Sequence, residues 1–96
     1  MNYLKKLRKE IDKIDAELVK ILAKRFKIVR QIRKYKKINK LPLIDEKREN
    51  YILETKIRLA QRLKLDSDLV KNIFMLIFKK TKEKTNKKGL FRKKLT

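Results

Sequence analysis

Residues 2–38 read NYLKKLRKEIDKIDAELVKILAKRFKIVRQIRKYKKI, and their spacing decides the fold. Taken in steps of seven, one row is Leu4, Ile11, Leu18, Arg25, Ile32, and a second is Leu7, Ile14, Ile21, Ile28, Tyr35. These are the two seam positions of a heptad, so the segment predicts a single helix with one apolar stripe. At 1.5 Å per residue it extends roughly 50–55 Å. The 58 residues that follow are too few to cover so long a stripe, which predicts a second chain. One seam position breaks the pattern. Arg25 puts a guanidinium where an aliphatic side chain belongs, at a desolvation cost of several kcal/mol unless an anion meets it. Either it forms a structural ion pair or snorkels out along its stem, or it marks a site for an anionic ligand.

Outward from that helix, residues 39–43 form the first break, because Pro42 ends helices and restricts its predecessor. Asp45 is placed to cap a second helix that runs to about residue 62, with Ile52 and Leu59 facing inward. Lys64 and Leu65 make a short turn. Asp66 or Ser67 caps a third helix in which Leu69, Val70, Ile73, Phe74, Leu76, Ile77 and Phe78 form an apolar face too broad for a lone surface helix. Apolar residues nearly vanish after Lys79. The expected organisation is an all-α domain over residues 1–86, then a flexible basic tail over 87–96 broken at Gly89. One glycine and one proline in 96 residues suit a few long helices with few connections.

Composition narrows the chemistry. Without cysteine there is no disulfide or thiolate nucleophile, and without histidine the commonest general base and metal ligand are missing. No stretch approaches 18 uncharged apolar residues, and the N-terminus has no signal-like apolar run, so a cytoplasmic, non-membrane protein is expected. The net charge of +20 comes from 31 basic and 11 acidic residues. Such an excess suits nucleic acid or an anionic membrane surface. The aromatic residues, however, are few and not interleaved with the basic ones, and an arginine in a seam cannot reach phosphates. The charge reads instead as solvated helix face, which still attracts small anions.

Several polar residues fall where packing would not put them. Arg8 flanks the stripe, Arg25 lies in it, and Lys36 follows 11 residues later, about three turns on and on the same face. In the second helix Asp45, Arg48, Glu49 and Ile52 share a face. In the third, Thr81 and Thr85 extend the face of Phe74 and Ile77. Each has a plain structural reading: Asp45 as a cap, Glu49 paired with Arg48 or Lys56, the threonines finishing a helix. Arg8 and Arg25 are separated by about 25 Å of helix. If both hold one small ligand, Arg8 must come from an antiparallel partner chain, which makes two equivalent sites in a two-fold dimer.

The run Leu7-Arg8-Lys9-Glu10-Ile11-Asp12-Lys13-Ile14-Asp15, then Leu22-Ala23-Lys24-Arg25, then Lys36, then Pro42-Leu43-Ile44-Asp45-Glu46-Lys47-Arg48-Glu49, closely resembles the all-helical (type II) chorismate mutases. The similarity covers residues 4 to about 85. It implies an intertwined three-helix homodimer that rearranges chorismate to prephenate, a step of aromatic amino-acid biosynthesis from the shikimate pathway. That rearrangement is intramolecular and needs no nucleophile, metal or cofactor. By resemblance, Arg25 and the partner chain's copy of Arg8 clamp the two substrate carboxylates. Lys36 donates to the ether oxygen and a carboxylate, and Glu49, with the backbone near Asp45, accepts from the substrate hydroxyl. Arg48 lies behind these or on the carboxylate side, and Thr81 stands for a small hydroxyl residue. One position departs from the family. A glutamine usually follows one turn after Thr81, as a second donor to the ether oxygen, and here Thr85 takes its place, with Lys84 on the adjoining face. An isochorismate pyruvate lyase on the same scaffold is the nearest alternative, and a basic helical nucleic-acid-binding protein the alternative of another class.

Overall fold

The computed structural model describes residues 2–86, with side chains through residue 83. The basic tail expected over 87–96 lies outside the described residues, as do the side chains of Lys84 and Thr85. Three helices follow one another: α1 over Tyr3–Ile38, α2 over Glu46–Arg62 and α3 over Ser67–Asn86. Among the described residues there is no strand, and no helix is long and apolar enough to cross a membrane. The chain divides into two compact units, one ending at Ile38 and one beginning at Asn39.

The first unit is α1, 36 residues without interruption. None of them is buried. Leu4, Ile11, Ile14, Leu18 and Ile21 keep between 55% and 63% of their surface open, so the N-terminal two-thirds of the stripe is bare in a single chain. The half-buried residues of α1 gather toward its C-terminal end, where Leu22, Arg25, Phe26, Val29, Arg33 and Lys36 recur at helical spacing along one side. Arg25 is thus half-buried in a single chain.

The second unit is an αα-hairpin. Asp45 adopts an extended backbone (φ −132°, ψ 94°), and its carboxylate accepts from the Arg48 amide at 3.0 Å, supplying one of the acceptors that a helix start lacks. At the other end the Leu65 amide donates to the Ala60 carbonyl at 2.8 Å and the Lys64 amide to Gln61 at 3.2 Å. This is the paired bonding of a Schellman cap. Lys64 turns the corner at φ 57°, a conformation that costs a side chain with a Cβ roughly 1 kcal/mol. Of the two candidate caps for α3, Asp66 does the work: its Oδ1 accepts from the amides of Asp68 at 2.9 Å and Leu69 at 3.4 Å.

The four connecting residues make α2 and α3 antiparallel neighbours. Their shared core is small: Ile52 and Ala60 from α2, Ile77 and Phe78 from α3. The Phe74 and Phe78 rings meet at 6.3 Å and 51°, a tilted pairing that adds about 1 kcal/mol to the area they cover. Leu59, expected to face inward, is instead exposed, and Ala60 beside it is the most buried residue of the hairpin. A methyl side chain lets the two helix backbones approach where a leucine would hold them apart. On α3, Leu69, Ile73 and Leu76 remain exposed, so the broad apolar face noted in the sequence is only partly covered by α2.

Candidate active site

The expected site residues fall into a set on α1 and a set on the hairpin. On α1, Arg25 and Lys36 lie on the half-buried side, about 16 Å apart along the axis, a separation that extended arginine and lysine side chains can close on one ligand. Arg8 lies near the start of the same unbroken helix and is exposed. A continuous helix holds Arg8 and Arg25 about 25 Å apart, so one chain does not bring them together.

On the hairpin, Asp45 is first of all the cap of α2. That bond has a second effect, since it fixes the backbone leading into Arg48 and Glu49. Arg48 is exposed, with its guanidinium carbon 5.3 Å from the centre of the Tyr51 ring, a cation–π arrangement. Glu49 is half-buried, and its carboxylate meets neither Arg48 nor Lys56. Its Oε1 lies 3.3 Å from Nζ of Lys82 on α3, because the tertiary fold places the first turn of α2 beside the far end of α3. The Glu49 side chain is 24% exposed and that of Lys82 40%. Thr81, half-buried next to Lys82, donates its hydroxyl to the Ile77 carbonyl at 2.9 Å. A β-branched hydroxyl residue often forms this bond within a helix. Thr85 lies one turn further along α3.

Lys82 was missed by the sequence reading, which followed the spacing of Thr81 and Thr85 and passed over the residue between them. A signal was available. Folding α2 onto α3 about a turn at residues 63–66 sets Glu49 opposite residues near 80–82, where Lys82 is the cation that meets it.

The family profile for chorismate mutase type II matches residues 7–86, a span that includes all eight expected site residues. Among curated relatives, the T-protein of Haemophilus influenzae is 32% identical over 89 residues, which are 93% of this chain and 24% of that protein. The bifunctional chorismate mutase/prephenate dehydratase of Buchnera aphidicola is 35% identical over 80 residues, 83% of this chain and 21% of that protein. The chorismate mutase of Methanocaldococcus jannaschii is 28% identical over 79 residues, 82% of this chain and 80% of that protein. The chain therefore spans about a quarter or less of the first two relatives and most of the third. No solved structure matches. With a profile match over most of its length, on the segments that carry the arginines, Lys36 and the start of α2, this chain belongs to the chorismate mutase type II family.

Proposed function

We propose that the chain is a chorismate mutase that converts chorismate to prephenate, acting in the cytoplasm as an intertwined homodimer whose catalytic domain is residues 1–86. The observation that carries the reading is the family match over residues 7–86, a span that contains Arg8, Arg25, Lys36, Asp45, Arg48, Glu49, Thr81 and Thr85.

The reaction breaks a carbon–oxygen bond as a carbon–carbon bond forms within one molecule. Two tasks fall to the protein: holding a flexible dianion in its compact conformer, and meeting the negative charge that develops on the ether oxygen. Arg25 and Arg8 serve the first task, each presenting a planar fork to one carboxylate. Lys36 serves the second, and Thr85 contributes a weaker donor where the family has a longer amide. Glu49 accepts from the ring hydroxyl. Asp45 and Arg48 keep the entry to α2 in register, and Thr81 offers a hydroxyl to a carboxylate by exchanging its bond to Ile77.

Two features of one chain support the dimer. No residue of α1 is buried, and its apolar seam is left open; the roughly 25 Å of helix between Arg8 and Arg25 favours a site shared between two copies. An antiparallel partner answers both.

The test is to follow the loss of the conjugated-diene absorbance of chorismate with the purified chain and with Arg25→Ala. Turnover that disappears in the variant supports the reading. A folded protein that leaves chorismate intact refutes it, and turnover of isochorismate by that protein would assign the lyase reaction.

A further inference from the structure

We propose that Lys82 is a positioning residue for the rearrangement, acting through Glu49; the inference rests on the mutase reading given above. Glu49 enters α2 in its first turn, and nothing on α2 itself holds its carboxylate. The one ion pair between the two helices among the described residues is Glu49 Oε1 to Lys82 Nζ, at 3.3 Å. It ties the first turn of α2 to the end of α3 that carries Thr81, and Glu49 is the more enclosed partner at 24% exposure.

A glutamate accepting from a substrate hydroxyl must present one oxygen at a fixed angle, and a side chain with three rotatable bonds does not do so unaided. An ammonium anchored on the facing helix engages Oε1 and leaves Oε2 for the ligand. It also places a positive charge beside a site built for a dianion, which strengthens the attraction without binding the substrate directly. Two other polar groups at this end of α3 have partners on their own helix. Thr81 is bonded back to Ile77, and Lys80 pairs with Glu83 at 3.5 Å.

The experiment measures kcat and KM for chorismate on the full chain and on Lys82→Met, Lys82→Arg, Glu49→Gln and the Lys82→Met/Glu49→Gln double variant. Thermal unfolding of each is recorded alongside. The expected result is a fall in kcat/KM on the order of tenfold to a hundredfold for Lys82→Met, largely restored in Lys82→Arg. In the Glu49→Gln background, Lys82→Met should add about twofold or less, because the two residues act as a unit. A merely structural ion pair would change the unfolding temperature but leave the two substitutions multiplying independently in kcat/KM. That pattern, or unchanged kcat/KM in Lys82→Met, overturns the proposal and leaves the mutase reading intact. Absence of turnover in the unsubstituted chain overturns both.

Discussion

Ile14→Ala on α1 tests the shared-site dimer without touching a substrate-binding residue. Ile14 sits at a seam position and keeps 60% of its surface open in a single chain. Fully burying an isoleucine side chain contributes about 1.5–3 kcal/mol, so covering the part still open contributes about 1–2 kcal/mol. A two-fold partner presents the same position twice, and the substitution therefore weakens association by about 2–4 kcal/mol. At 1.4 kcal/mol per factor of ten, the dimer dissociation constant should rise roughly 30-fold to several-hundred-fold. Sedimentation velocity over a dilution series reads the change directly. In the proposed dimer each site takes Arg8 from the other copy, so turnover per chain should fall over the same concentration range in which the dimer dissociates. A chain that sediments as a monomer at every concentration while retaining full turnover would refute the reasoning. So would an Ile14→Ala variant that dissociates no more readily than the parent.

Three further outcomes are expected. Arg8→Ala and Arg25→Ala should each abolish turnover alone, but mixed and re-equilibrated in equal amounts they should recover activity in about a quarter of sites, since half the dimers carry one intact site; no recovery on mixing would place Arg8 and Arg25 in the same chain's site. Thr85→Gln, which restores a second long donor toward the ether oxygen, should raise kcat by about tenfold or more, and an unchanged or lower kcat would show that the position does not face the reacting bond. Lys64→Gly should raise the stability of the hairpin by about 0.5–1 kcal/mol, relieving the left-handed backbone at φ 57° at some cost in chain entropy; chemical denaturation measures it, and a loss of stability would contradict the strain assigned to that corner.

What could be read before the structure was known divides along the range of the physics involved. Helix ends depend on chemistry within three or four residues, so Pro42 and Asp45 announced the break and the cap that the structure contains. Sequence alone does not choose between Asp66 and Ser67, because both side chains can accept an amide. The carboxylate of Asp66 accepts two. Packing partners were harder to foresee. Hydrophobicity points to Leu59, whereas the close approach of α2 and α3 selects the small Ala60, and closeness of backbones leaves no periodic mark on a single helix. The partner of Glu49 shows the same limit. Neighbours along α2 suggested Arg48 or Lys56, while the fold supplied Lys82 from 33 positions away. The half-burial of Lys36 and Arg25 together follows the helical period and was legible.

The four-residue corner between α2 and α3, closed by the Ala60–Leu65 and Gln61–Lys64 bonds, has a consequence for how the protein comes together. Its contacts are local in sequence, so the hairpin can form rapidly and as an event of one chain. The seam of α1 is different: in the proposed homodimer its exposed aliphatic residues would gain shelter when two chains meet, and that step would slow as the protein is diluted. Folding of that dimer would divide into a first-order part and a second-order part. A newly made chain would carry a ready hairpin and an exposed α1 until its counterpart arrives, and the abundance of the protein in the cell would set how long that interval lasts.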